Sequence, residues 1–288
     1  MAWVNAVVQG FLLGGLYAIF ACGLSLMFGV MRIVNLAHGD LAMVAAFLAF
    51  TTMNITGVNV FVATVIVVPV FAVIGYLVQR GVLQRSLSAG AFSTLLATFG
   101  LSIVIQNVLL KIYTANSHAL PAGKLSSASW RVGRQLSVPY LGLTTFVLAI
   151  VVLSAVQIFL SRTGLGRMIR ATSDDLEAAQ LTGANVKHVY GIATAIAFGT
   201  VALAGLLFSI RSSFSPSTGP TQLLYAFEAV VIGGLGSLWG TLVGGIVLGL
   251  AQTIGAQIDP AYNLLAGHLI FLAVLAFRPR GLIAARAT

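Results

Sequence analysis

Acidic residues are nearly absent from this chain: six Asp and Glu stand against 15 Lys and Arg in 288 residues, and charged residues of both signs make up 7%. An average soluble domain carries roughly 25% charged residues, so this composition excludes a protein that meets water on every side. Cysteine is almost missing too. The single Cys22 rules out an intrachain disulfide framework and a cysteine-based metal site, and its place in an apolar run suits a small core residue. No Lys or Arg precedes that run, so the N-terminus lacks the basic region of a cleaved secretory signal and reads as a resident span. His118, His188 and His268 are scattered, without a ligand spacing such as two at i and i+4, so no metal site is expected. No GxxxxGK[ST] occurs, and "GGLGSLWG" (Gly233 to Gly240) lacks the GxGxxG spacing, so the chain has no phosphate loop of its own. Paired carboxylates and a nucleophile with its base are also lacking, which argues against a membrane-embedded enzyme.

What is present is apolar: 59% of residues are hydrophobic, and the mean hydropathy is +1.02. A helix needs about 20 apolar residues to cross roughly 30 Å of hydrocarbon. On that scale the uncharged runs predict about nine membrane segments (eight to ten), near 6–30, 41–56, 59–79, 91–111, 140–160, 189–210, 222–236, 240–257 and 262–277. The segment 222–236 is the weakest, being short and carrying Glu228. The fold expected is an all-α polytopic membrane protein, a single transmembrane domain over 1–288 with loops at 111–139 and 161–187.

Basic residues mark the cytoplasmic side of short loops. Nine segments place Arg32, Arg80, Arg85, Arg162, Arg167, Arg170, Lys187, Arg278, Arg280 and Arg286 on one side, against Lys111, Lys124, Arg131, Arg134 and Arg211 on the other. The expectation is an N-terminus outside and a C-terminus inside. Flanking basic residues then account for the net charge of +9 without a nucleic-acid partner.

Three of the six acidic residues fall in one stretch of the inner loop, "RATSDDLEAAQLTGANVKHVY" (Arg170 to Tyr190). It reads as a short helix with Ser173 as N-cap, Asp174 and Asp175 in the first turn, and Gly183 at the end; Asn185 then caps the next helix. Capping alone explains Asp174 and Asp175 better than it explains Glu177 with Ala178, Ala179 and Gly183. Those four residues resemble the "EAA" loop by which permeases of ABC importers dock on their ATPase subunits.

The wider loop, "RTGLGRMIRATSDDLEAAQLTGANVKHVY", resembles that of permeases for branched-chain amino acids. So do "GLSLMFGVMRIVNLAHGD" (Gly23 to Asp40), with Asn35, Ala37, His38 and Gly39 on the motif, "AFEAVVIGGLGSLWGTLVGGIVLG" (Ala226 to Gly249) and "FRPRGL" (Phe277 to Leu282). The resemblance covers nearly the whole chain and is nearer the shorter, H-type permease than the longer M-type. It implies a bacterial inner-membrane permease with a periplasmic N-terminus and alternating access. The implied partners are a second, M-type permease, a periplasmic solute-binding protein and two ATPase subunits, which would bind ATP and Mg; no cofactor is expected in this chain. Asp174, Asp175, Glu177, Ala178, Ala179 and Gly183 would form the ATPase-coupling surface. The solute implied is a branched-chain amino acid; urea, short amides and aromatic acids remain alternatives within the same class.

Candidate pathway or gate residues are Tyr17, Ser25, Asn35, His38, Gln106, Asn107 and Glu228, polar groups in or between apolar segments. Glu228 must face a partner, the pore or a helix end, because a charge in lipid is costly; pairing with Arg211 is one solution. Asn35, His38 and Asp40 alternatively form a structural turn that satisfies free backbone groups. Gly10 with Gly14, Gly236 with Gly240 and Gly244, and Gly245 with Gly249 have the four-residue spacing that lets membrane helices pack closely. Gly23 to Gly39 and Gly233 to Gly240 are candidate helix breaks, placed in the two halves as inverted repeats would place them. A stand-alone channel or secondary transporter would need more membrane carboxylates than the one Glu228 supplies.

Overall fold

The computed structural model describes residues 2–132 and 136–283; Arg134 and Arg286, both weighed for orientation, lie outside that range. The chain is helical almost throughout. The helices are α1 (Ala2–Met31), α2 (His38–Thr56), α3 (Val60–Val78), α4 (Gln84–Ser88), α5 (Ala91–Tyr113), α6 (Lys124–Ser127), α7 (Tyr140–Arg162), α8 (Gly164–Asp174), α9 (Leu176–Leu181), α10 (Val186–Arg211), α11 (Gly219–Gly233), α12 (Leu238–Ile258) and α13 (Tyr262–Phe277). Each of the nine expected segments corresponds to one of them. Seven helices among the described residues are long and apolar enough to cross a membrane; α11 and α13, at 15 and 16 residues, are shorter. A π-helical turn, Gln79–Leu83, joins α3 to α4. The 111–139 loop carries a two-stranded antiparallel hairpin, β1 (Ser129–Val132) with β2 (Leu136–Pro139).

The first helix forms the centre. Leu16 to Met27 of α1 are buried without interruption, and α12, α10, α7 and α11 pack around them. Small residues make this possible: a Cβ on Gly245 would stand 2.5 Å from the Gly14 carbonyl oxygen, and one on Gly10 2.8 Å from that of Gly249. The glycine pairs thus form one seam between α1 and α12, where dispersion contacts and close backbone approach replace the hydrophobic effect that lipid does not supply. By contrast, α5 is the least buried of the long helices.

Two helices begin inside the bundle. Arg32, with φ +53°, reverses the chain at the end of α1, and 32–37 climbs back along α1 until His38 meets the Phe20 carbonyl. Phe20 lies eleven residues before Met31, so α2 starts about 17 Å above the end of α1 at 1.5 Å per residue. The break is therefore 32–37; Gly23, expected to belong to it, lies in continuous helix. Similarly, 212–218 turns back from the end of α10, and α11 begins where Gly219 touches Gly39 and Asp40. Gly205 of α10 touches Ala42, which fixes the starting depth of α11 about 13 Å below Arg211. From this meeting point α2 and α11 run in opposite directions, the arrangement that inverted repeats produce. The second break, 234–237, separates α11 from α12, and Gly236 there lies against Gly29 of α1.

Candidate coupling elbow and translocation pathway

The 161–187 loop folds as two helices, not one. Thr163 caps α8, accepting from Gly166 N at 2.9 Å, and α8 runs on through Ser173 to Asp174. Ser173 is therefore not the N-cap that the sequence suggests. Asp175 takes that place for α9, its Oδ1 accepting from Ala178 N at 3.0 Å, because the chain is extended at Asp175 (φ −143°) and its short side chain reaches forward. Glu177 stands in the first turn of α9, where the helix dipole favours a negative charge. Gly183, at φ +87°, closes the helix while Ala184 N returns to the Ala179 carbonyl at 3.0 Å. Asn185 then caps α10, accepting from His188 N at 3.2 Å.

The elbow shows a mixed surface. Asp174, Asp175, Glu177 and Ala178 are exposed, whereas Ala179 is buried on the inner side of α9. Beside the acidic groups stand two apolar side chains the sequence reading passed over, Leu176 at 40% exposure and Leu181 at 90%. Their five-residue separation within "LEAAQL" was the available signal. The elbow is also tied to the bundle: the Ser173 hydroxyl donates to the Gly29 carbonyl, beside the contact of Gly29 with Gly236.

The structure distributes the candidate pathway residues among separate places. Tyr17 donates to Gln252 Oε1 at 2.5 Å, and its ring centroid lies 5.3 Å from that of Tyr225, one turn before Glu228 on α11. Glu228 is buried and pairs with His268 of α13, not with Arg211; the α11–α13 packing brings together residues 40 apart in sequence. Asn35 and His38 sit at the first break. Asn35 Oδ1 accepts from Ala37 N at 3.0 Å and so satisfies a backbone group freed by the break, whereas His38 Nε2 donates to the Phe20 carbonyl, within the continuous α1, at 2.9 Å. Ser25 is buried, and its hydroxyl has no partner. Gln106 donates to Ser102 at 3.1 Å, and Ser102 donates to Asp40 at 2.5 Å. Asn107, on the exposed face of α5, donates to the Ile103 carbonyl at 2.8 Å. Asp40 is the membrane carboxylate that the sequence reading assigned only to a turn; the argument applied to Glu228 also singles it out.

Comparison with known proteins places these features. Residues 6–275 match the family described as the branched-chain amino acid transport system / permease component. The high-affinity branched-chain amino acid transport system permease protein BraD of Pseudomonas aeruginosa is 29% identical over 98% of this chain and 95% of its own length. LivH of Escherichia coli, a permease of the same description, is 25% identical over the same shares. The fructose import permease protein FruF of Bifidobacterium longum is 28% identical over 85% of this chain and 70% of its own. With its apolar helices and a match along nearly its full length, the chain is a multi-pass membrane protein and belongs to the permease components of branched-chain amino acid transport systems.

Proposed function

We propose that this chain is one of two permeases in an importer that moves leucine, isoleucine or valine inward by alternating access, driven by ATP hydrolysis in partner subunits. The observation that carries the coupling half is the α8–α9 elbow, whose exposed Leu176, Glu177 and Leu181 stand beside a serine tied to the central helix. A partner docked there pulls on α1 rather than on a free loop. The ATPase subunits bind ATP and Mg and dock on Asp174, Asp175, Glu177 and Ala178; the elbow face is then cytoplasmic, and the N-terminus periplasmic. A solute-binding protein delivers from the opposite face, and the second permease is a longer M-type relative.

The description of BraD and LivH supports the substrate class. The test is purification of the chain in mild detergent with its native partners, followed by uptake of labelled leucine in proteoliposomes. Two ATPases, a second permease and ATP-dependent leucine uptake are expected. Uptake of urea, short amides or aromatic acids in place of leucine overturns the substrate; a chain recovered alone and transporting without ATP overturns the importer. Glu177→Arg reverses the charge at the docking face, so uptake falls while the protein accumulates normally in the membrane. Normal uptake by that variant refutes the docking role.

A further inference from the structure

The meeting point of α2 and α11 has the chemistry of a zwitterion site. Neither helix has a side-chain N-cap there, although the Asn35 carbonyl accepts from His38 N at 3.1 Å and Pro220 removes one N–H from the first turn of α11. Uncapped first turns present polarised N–H groups, and half-helix N-termini at mid-depth are where transporters meet anionic substrate groups. Between them lies Asp40, 1% exposed, in contact with Gly219. Its Oδ2 accepts from Ser102, but its Oδ1 is buried without a partner among the described residues. A buried carboxylate oxygen left unpaired carries a penalty that a donor from outside the chain would relieve.

A buried polar stripe leads to this point. Thr94, Thr98, Ser102 and Gln106 recur every four residues on α5, a polar stripe along the first break, where Leu36 N donates to Thr98 at 3.2 Å. One turn beyond Asp40 and Ser102, α2 and α5 part into a cleft of about 330 Å³ lined by Val44, Phe47 and Leu48 on one side and Val104, Val108 and Tyr113 on the other. Its walls are apolar. This volume lies at the lower end of the roughly 300–1,000 Å³ of ligand clefts and suits one small solute.

We propose that this junction is a transit subsite for an amino acid zwitterion. Asp40 Oδ1 receives the ammonium, the free first-turn N–H groups of α2 and α11 receive the carboxylate once the backbone contact between Gly39 and Gly219 parts, and the α2–α5 cleft takes the branched side chain. The inference rests on the substrate class argued above and locates it on named residues. The apolar walls favour a hydrocarbon side chain, and the unpaired Asp40 Oδ1 beside two N-termini matches one positive and one negative group.

The test uses the intact complex, reconstituted with its binding protein. Asp40→Asn keeps the shape and removes the charge, and Val108→Trp fills the cleft without touching the polar groups. Losing a charge-assisted contact lowers leucine uptake by about tenfold or more in Asp40→Asn. Val108→Trp slows leucine more than valine. Uptake at the wild-type rate by either variant overturns the subsite, a lipid chain then being the simpler occupant of the cleft. If Asp40→Asn does not assemble with its partners on gel filtration, the leucine-to-valine ratio of Val108→Trp decides alone. A wild-type complex that moves no leucine overturns the function and the subsite together.

Discussion

Leu181 offers the sharpest test of the elbow. Its side chain is 90% exposed at the end of α9, so truncation removes almost no contact within the permease, and the change in folding stability stays within about 0.5 kcal/mol. If an ATPase subunit buries it, the situation reverses. Full burial of a leucine side chain contributes about 1.5–3 kcal/mol, and a tenfold change in affinity corresponds to about 1.4 kcal/mol. Leu181→Ala should therefore weaken ATPase binding roughly 10- to 100-fold. The assay is titration of labelled ATPase subunit onto the permease pair held in nanodiscs, with melting temperature as the folding control. A dissociation constant unchanged within about twofold, with a normal melting temperature, refutes docking through this side chain.

Two further substitutions probe the bundle. Gly245→Val places a side chain against the Gly14 carbonyl oxygen and the Ala18 N, at 2.5 and 2.9 Å from the new Cβ, so α1 and α12 must separate at a cost of about 1–3 kcal/mol. A lowered melting temperature in detergent is expected, whereas Gly100→Val on α5, with nothing within 4 Å, serves as the tolerated control. His268→Leu strands the buried Glu228 carboxyl and destabilises by about 1–3 kcal/mol, while adding Glu228→Leu restores most of the loss because neither polar group remains unmatched. Equal melting temperatures for wild type and His268→Leu would show that the pair contributes nothing.

The helices were legible because membrane segments announce themselves by apolar length, and the capping at Asn185 was legible because it is local. What escaped was depth and neighbourhood. Lipid is as apolar as a protein core, so hydropathy does not separate α1, 89% buried along its most apolar stretch, from α5, 17% buried along its own. The retreat of 32–37 and 212–218 into the bundle leaves no periodic signal, since neither stretch is regular. Only the glycines that meet there, Gly39 and Gly219, hint at it, and they identify each other only once the helices are packed. Glu228 illustrates the same limit: its need for a partner followed from its charge, but the choice of His268 over Arg211 depended on α13 lying against α11. Ser173 was misplaced for a local reason, because α8 continues through it and leaves the cap to Asp175.

These placements bear on how a pull on the elbow travels. Ser173 holds the end of α1 through the Gly29 carbonyl, and that end rests on Gly236 in the second break. From Gly10 to Ala18 α1 is locked to α12 by backbone-to-backbone glycine contacts, which leave little slack for side chains to absorb. A displacement of the elbow is thus passed to α1 and α12 as a unit. The break 32–37 and the hydrogen bond from His38 to Phe20 tie α1 to the start of α2, so the same displacement reaches the junction with α11. The irregular segments are where such a motion can be taken up, because their backbone groups are satisfied by side chains such as Asn35 and Thr98 rather than by a helical ladder. In the proposed reading coupling and passage share one structural element, the central helix, with the proposed docking surface at one end and the re-entrant junction midway along its side.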